Sequence, residues 1–368
     1  MLLKDIESVV EESSRKLFQI SKPPVRYYLL TDVMGRTLDE PLVQETLKEC
    51  REYPLRKRML ETLRSDGTWP ISKARKTEED AGPGPPVGWT YITMLRNLFE
   101  LGEYRTSSDE GYVSESLERI LSWQTKEGYI VGPTTDLFPL PHYNGYALRT
   151  LTNFGMEDDP RVQRLIRWIF RTQRPDGGWS IPYLEDVKYL PQFKHMRMQA
   201  FMDKIRSGEV QRPNPDSFED IPSCIWTTLM VVRGMCQSYS LPERPEVRRG
   251  FDLVLNNFFK RNYHSTFLRS ERNWTKLKYP TYSGSGLCAL DLLTWVGYGA
   301  DDPRMEKPIK WLLSARSNDG FWSQSDRPHP YKDQWITEIS LSVLSRYAES
   351  IRGAPFGMRA ELLRSRRA

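Results

Sequence analysis

The sequence predicts an all-α fold made of repeated helical hairpins, and three observations support this prediction. A turn motif recurs along the chain, apolar helices recur between its copies, and two helices begin with the same four residues. The best copy of the motif is Gln-Arg-Pro-Asp-Gly-Gly-Trp at residues 173–179, and degenerate copies lie at residues 65–69, 124–129 and 317–322. A large aromatic side chain that recurs at such turns indicates a recurring interface between similar helical hairpins, here called a seam.

Each predicted hairpin pairs an apolar inner helix with an amphipathic outer helix. Inner helices carry an apolar residue at every third position before a glycine, at residues 95–102, 148–155 and 290–297. A glycine in this place ends a buried helix in the left-handed conformation. Outer helices follow Asp-Asp-Pro-Arg at residues 158–161 and 301–304. Aspartate there caps the helix and proline occupies its first turn.

The complete motif resembles the repeat motif of the squalene cyclase and protein prenyltransferase superfamily. The resemblance extends over about residues 24–348 and implies that the hairpins close into an (α/α)6 toroid. The N-terminal helix, within residues 1–23, is expected to complete the ring, residues 349–368 form a tail, and the whole chain is one domain. Inner helices are predicted to start near residues 25, 87, 142, 223, 283 and 335, and five outer helices follow them.

The spacing of the aromatic residues at these turns predicts one further hairpin, which has lost the motif. Its inner helix is expected at residues 224–236, its outer helix at 245–259 and its altered turn near 261–263. Two connections, residues 181–220 and 261–281, are longer than a plain turn requires. Such insertions serve either as lids over a site or as packing for the rim.

Composition argues against several function classes. The 368 residues carry a net charge of +5 with acidic residues mixed in nearly everywhere, and the only tight basic cluster lies in the tail. A nucleic-acid partner is therefore not expected. No apolar run approaches the length of a membrane span, which leaves only peripheral membrane contact open. The early acidic residues and four cysteines without a C-x-x-C pair predict a cytoplasmic protein with reduced thiols.

The inner helices would all run in one direction, so their N-termini would gather at one mouth of the ring. Free N–H groups and positive dipole ends there would suit an anionic group such as a diphosphate. The candidate site residues at these helix starts are Trp89, His142, Tyr143, Asn144, Asp220, Cys224, Trp226, Tyr282, Asp333, Trp335 and Glu338.

Asp220 is the first candidate for a catalytic acid. The resemblance implies an Asp-x-Asp-Asp stretch of class II terpene cyclases, and laying it over residues 218–221 puts Asp220 at the protonating middle position. Phe218 and Ile221 stand where the flanking acids belong, so the motif is incomplete. A protonating carboxyl group must stay neutral near pH 7, which needs burial or a neighbouring carboxylate. The alternative is an ordinary carboxylate at a helix N-terminus.

His142 and Tyr143 are the expected polar partners of this acid, because histidine exchanges protons near neutral pH. The resemblance also raises a zinc site at Asp220, Cys224 and His142. Their spacing and order differ from those of the prenyltransferases, so no metal is predicted and the question of cofactors stays open.

The rings at the inner-helix starts allow two interpretations. They line a cavity that stabilises a carbocation through cation–π attraction, or they fill a core without a pocket. The first interpretation, together with the resemblance, predicts a cyclase or prenyltransferase acting on a small isoprenoid substrate. The alternatives are a sugar-active toroid, with Asp220 and either Asp333 or Glu338 as paired carboxylates, and a non-catalytic scaffold. The substrate-binding residues would be Trp89, Asn144, Trp226, Tyr282, Asp333, Trp335 and Glu338.

Overall fold

The computed structural model has an all-α fold, an α/α toroid. It describes residues 2–71, 89–131, 139–180, 198–211, 221–236, 238, 240–262, 270–280, 284–325 and 327–353. Across these residues the only β-type pairing is an isolated bridge between Gln124 and Ile130.

Fourteen α-helices are present in the described part of the chain, and π-helical residues Leu29–Val33 extend the second. They are α1 Leu2–Ile20, α2 Pro23–Tyr28, α3 Pro41–Arg51, α4 Pro54–Glu61, α5 Trp89–Glu103, α6 Val113–Ser122, α7 Pro141–Asn153, α8 Pro160–Arg171, α9 Met198–Arg206, α10 Ile225–Cys236, α11 Pro245–Asn256, α12 Gly286–Trp295, α13 Glu306–Ser314 and α14 Pro330–Ile351.

Burial separates the inner helices from the outer ones. Every residue of α10 is buried, as expected of an inner helix. By contrast, α8 buries one stripe, including Val162, Leu165 and Ile169, while Arg167 faces solvent. The inner helices are α2, α5, α7, α10, α12 and α14, and the last begins at Pro330, five residues before the predicted start.

The motif at residues 173–179 ties one hairpin to the next. The Asp176 carboxylate accepts hydrogen bonds from the Ser223 backbone N–H at 2.8 Å and from the Ser223 hydroxyl at 2.7 Å. The Gln173 side-chain amide donates to Gly177 O and to Glu246 O, at 2.7 and 2.6 Å. The motif therefore anchors the starts of both helices of the following hairpin.

In the hairpin without the motif, the aromatic side chain at the seam comes from a residue farther along the chain. Trp274, which the sequence analysis assigned to a long insertion, is fully buried and donates its indole N–H to Lys260 O at 2.7 Å. Its ring stacks on Phe258 with centroids 4.4 Å apart and lies 4.6 Å from the ring of Trp226. The seam is thus kept although the motif is lost.

Helix α1 packs along α14 and joins the two ends of the helical array. Arg316, just after α13, donates to Glu12 at 2.7 Å and to the Ser13 hydroxyl at 3.0 Å. Apolar contact accompanies these bonds, because Ile6 and Leu17 of α1 are buried in the core. The first and last hairpins therefore lie side by side.

Two further features bear on function. Among the described residues, no helix combines the length and apolar character needed to cross a membrane. All four cysteines are buried and none is in a disulfide.

Candidate functional site

A cavity of about 110 Å³ lies at the centre of the ring. All six inner helices contribute to it, and α5, α7, α10 and α12 do so near their C-terminal ends. It therefore lies away from the helix starts where the sequence analysis expected the site. Its lining residues are Tyr28, Asp32, Phe99, Glu103, Arg105, Arg149, Asn153, Arg233, Cys236, Tyr279, Asp291, Leu292, Trp295, Trp335, Glu338, Ile339, Ser342 and Arg346.

The cavity is rich in charge. Arg149 donates to Glu103 at 2.8 Å, with both side chains largely buried. In a second ion pair of the cavity, Arg346 donates to Asp291 at 2.8 Å and lies 3.8 Å from Asp32. Ion pairs removed from water are costly unless well satisfied, so this concentration in the middle of a toroid indicates a functional site more than a device for stability.

Glu338 is the most perturbed carboxyl group of the cavity. It is 4% exposed and its Oε1 accepts a hydrogen bond from the Ser342 hydroxyl at 2.8 Å. Burial raises the pKa of Glu338 well above its ordinary value, and the negative charge of Asp32 raises it further, while the bond from Ser342 opposes the shift. The surroundings of Glu338 therefore favour its protonated form, and Asp32 and Asp291 both lie near Arg346.

Aromatic rings form one wall of the cavity near this acid. Tyr279 and Trp335 stack with centroids 5.1 Å apart and planes inclined by 1°. Tyr28 lies against the same indole at 5.7 Å. The Trp335 indole Nε1 is buried and has no hydrogen-bond partner in the described structure, so it is an available donor on this wall.

On the remaining walls, arginines already cover the rings. The guanidinium of Arg149 lies 3.9 Å from the centroid of Phe99, and that of Arg346 lies 4.9 Å from Trp295. A ring face that a guanidinium already covers is not open to a cation of the substrate. The rings of Tyr28, Tyr279 and Trp335 are the better candidates for contact with a substrate.

Of the predicted site residues, Trp335 and Glu338 line the cavity. Three other predicted residues do not line the cavity and make local contacts elsewhere. The Asn144 side chain bonds to both main-chain groups of Ile130, Trp226 packs on Trp274, and the Asp333 carboxylate accepts from the backbone N–H groups of Gln324 and His329.

His142 and Tyr143 also lie outside this cavity, with ring centroids 4.4 Å apart. Burial lowers the pKa of His142 to about 4, so its imidazole is neutral at pH 7, and its Nδ1 is buried with no partner among the described residues. Tyr143 packs near Tyr91. The catalytic roles assigned to this pair stay predictions.

Three predicted residues have little or no structural description. Asp220 and Tyr282 lie outside the described residues, as do the parts of the two long insertions at 181–197, 212–220, 263–269 and 281. Trp89 begins α5, but its side chain is outside the description. Cys224, the proposed zinc ligand, accepts from the Asn262 amide at 3.3 Å through its sulfur. The described residues contain no group of three or more His, Cys, Asp or Glu able to hold a metal ion.

Apart from Glu338, the charged residues of the cavity were not predicted from the sequence. Arg149, Arg233 and Asp291 each stand inside an inner helix that is otherwise mostly apolar or small. A lone charge in such a helix has to face either a partner or a cavity, because unpaired burial is too costly. That signal was present in the sequence at all three positions.

Fold and cavity together define an all-α toroid with a charged, partly aromatic pocket at its centre. No protein-family model matches the chain, and no curated protein matches it. Among solved structures, the chain is similar to a variant of the type II terpene cyclase MstE from Scytonema in complex with its substrate, geranylgeranyl dihydroxybenzoate. The identity is 14%, the match covers 94% of this chain and 98% of that one, and the TM-score is 0.44.

Two further solved structures are similar at the same level. A protein from Actinoplanes is 12% identical over 93% of this chain and 98% of its own, with a TM-score of 0.41. MstE without substrate is 12% identical over 96% of this chain and 99% of its own, with a TM-score of 0.30.

Proposed function

We propose that the protein is a terpene cyclase-like enzyme that starts its reaction by protonating an isoprenoid substrate, with Glu338 as the proton donor. The observation that carries this proposal is a buried carboxyl group with a raised pKa on the wall of a central cavity, next to aromatic rings. The complete motif at residues 173–179 supports the isoprenoid class through its resemblance to the cyclase and prenyltransferase superfamily.

The proposed chemistry uses only groups of this chain. The Glu338 O–H gives its proton to one carbon of a double bond, and the π electrons of that bond form the new C–H bond. Glu338 becomes a carboxylate, and positive charge develops on the adjacent carbon. The faces of Tyr28, Tyr279 and Trp335 stabilise that charge. The last cation loses a proton to water, which forms a new double bond, and Glu338 regains a proton from the solvent, so no net proton is consumed.

The size of the cavity limits what it accepts. At about 110 Å³ it is smaller than the roughly 300–1,000 Å³ typical of ligand pockets, so it suits the reacting end of a chain. A second pocket of about 500 Å³, here called the outer pocket, shares Arg105 and Asn153 with it. The outer pocket also includes Tyr27, Leu38, Leu47 and Phe154, which suit the rest of the substrate.

Two alternatives keep specific support. A prenyltransferase would use the same aromatic wall but would release diphosphate without protonating the chain. A carbohydrate-active enzyme draws support from two carboxyl groups in one cavity, Asp32 and Glu338, and burial raises the pKa of Glu338. Asp220 stays the second candidate for the acid.

Product analysis in heavy water tests the proposal. The purified chain is incubated in D2O with prenyl diphosphates and prenylated aromatic acids of increasing length, and products are examined by mass spectrometry. Protonation at the start adds one deuterium to a cyclised product, whereas prenyl transfer releases diphosphate and adds none. Cleavage of an oligosaccharide panel would instead support the carbohydrate alternative.

Three variants assign the acid. Glu338→Gln is expected to abolish deuterated product, while Glu118→Gln, at a surface ion pair with Arg161, leaves it unchanged. If Glu338→Gln retains full turnover and Asp220→Asn loses it, Asp220 is the acid and the assignment to Glu338 is wrong.

A further inference from the structure

Arg149 has an unsatisfied donor in the central cavity. One terminal nitrogen, Nη2, donates to Glu103 at 2.8 Å, and the side chain is only 11% exposed. The other, Nη1, is buried and has no hydrogen-bond partner within the described structure. A buried N–H group without a partner is costly, and a guanidinium offers its donors in a fork that suits a carboxylate. An added oxyanion would remove this cost.

A second guanidinium lies close to Arg149. Arg233 is 5.3 Å from the centroid of the same Phe99 ring that Arg149 covers at 3.9 Å. Burial lowers the pKa of Arg149 to about 10, and the charge of Arg233 contributes to this effect, so both groups are positive at neutral pH. Two positive charges held near one ring inside the protein repel each other. An anion close to both would offset that repulsion.

Arg105 adds a third guanidinium at the edge of this region. It lines both the central cavity and the outer pocket, and its side chain lies over the ring of Tyr27 at 5.3 Å. Its backbone has a φ of 57°, an uncommon conformation for a residue other than glycine. Strained backbone of this kind concentrates at functional sites.

Several cationic groups line the cavity. They are the guanidiniums of Arg105, Arg149, Arg233 and Arg346. Arg346 is paired with Asp291 and Arg149 with Glu103, each at 2.8 Å. The second terminal nitrogen of Arg149 is left as a donor for an added anion.

We propose that Arg149, with Arg105 and Arg233, binds the carboxylate head group of the substrate where the central cavity meets the outer pocket. The unsaturated chain would then reach toward Glu338 and the wall of Tyr279 and Trp335. This proposal rests on the proposed function for the rest of the ligand. Binding of a simple carboxylate does not require turnover, so the two can fail separately.

Equilibrium binding to the full chain tests the site. Benzoate and inorganic phosphate are titrated in separate arms, followed by calorimetry and by tryptophan fluorescence, since Trp295 and Trp335 line the cavity. The double variant Arg149→Gln/Glu103→Gln removes the cation without leaving its partner as an unpaired charge. The control Arg161→Gln/Glu118→Gln neutralises a comparable pair on the surface, at 2.7 Å.

Benzoate is expected to bind the parent chain and the control with equal affinity. Its affinity for the Arg149→Gln/Glu103→Gln variant is expected to be lower by about tenfold or more. If that variant does not fold by circular dichroism, Arg233→Gln provides the same comparison. The proposal is wrong if benzoate does not bind the parent chain, if affinity is unchanged in these variants, or if phosphate binds in place of benzoate. Loss of turnover with benzoate binding intact would contradict the proposed function and leave the carboxylate site standing.

Discussion

Trp179 donates its indole N–H to the carbonyl oxygen of Ile169, ten residues earlier, at 2.9 Å. The same bond over the same separation joins Trp69 to Met59 at 2.8 Å and Trp322 to Leu312 at 2.7 Å. In each case the ring after the turn fixes the preceding helix near its end. The recurring motif therefore positions the preceding helix at the three turns whose aromatic residue is tryptophan.

Removing this ring should destabilise the protein strongly. Trp179 is fully buried, and truncating a buried tryptophan to alanine costs about 3–5 kcal/mol. Trp179→Ala is expected to lower the free energy of unfolding by about that amount in urea titrations. Tyr112→Ala, at a ring that is 43% exposed, should cost less than about 1 kcal/mol. Equal effects of the two substitutions would contradict the seam role.

Gly177 tests the turn itself. Its φ is +89°, and an added Cβ would lie 2.8 Å from Arg249 Cβ and 3.1 Å from Arg249 O. Gly177→Ala should therefore combine backbone strain with a clash. Gly155→Ala provides a matched control, because Gly155 has a φ of +80° with no heavy atom within 4 Å of an added Cβ.

The control should cost about 1 kcal/mol, for strain alone, and Gly177→Ala should cost at least about 1 kcal/mol more. Chemical unfolding of both variants measures the difference. If the two variants lose similar amounts of unfolding free energy, the chain at Arg249 shifts enough to accommodate the added methyl group.

The all-α toroid was predicted from the sequence and is confirmed. It was predictable because turn chemistry and apolar spacing are local signals that recur at each hairpin. The ring supplied by Trp274 was not predicted, since it donates to Lys260, fourteen residues earlier, across an insertion. A longer connection conceals the spacing that identifies the four turns with a copy of the motif.

The candidate site was only partly predictable. Trp335 and Glu338 were chosen as residues near an inner-helix start, and both line the central cavity. Both were predicted from the main-chain dipoles at the N-terminal mouth of the toroid. Side chains buried near the opposite ends, such as Arg149 and Asp291, were not predicted, because their partners come from other hairpins. Contacts of that kind depend on how the ring closes.

Leu17 tests that closure. It belongs to α1, is 1% exposed and is part of the main core. Leu17→Ala should lower the free energy of unfolding by about 2–5 kcal/mol, whereas Ile20→Ala, three residues later and 55% exposed, should cost less than about 1 kcal/mol. Both are measured by urea titration. A small effect at Leu17 would indicate that α1 is dispensable for the stability of the ring.

Glu338 should make stability depend on pH in a direction opposite to that of most carboxyl groups. Its pKa is raised in the folded chain above the ordinary value of 4.5, so the folded state holds a proton that the unfolded state releases. Stability therefore falls as pH rises from about 4.5 toward the raised pKa, by about 1.4 kcal/mol for each pH unit crossed in that interval. Burial is the main cause of this raised pKa, and Asp32, Ser342, Asp291 and Arg346 are the neighbouring groups that adjust it.

Glu338→Gln removes the titration and keeps the shape of the side chain. The unfolding free energies of the parent and the variant are compared at pH 5 and pH 8, and the variant should lose less stability between these values. Glu118→Gln is the control, because Arg161 holds the pKa of Glu118 below 4.5 and its contribution changes only at lower pH. A parent and a Glu338→Gln variant with the same pH dependence would mean that Glu338 is already ionised, and the proton donor of the proposed reaction would have to be sought elsewhere.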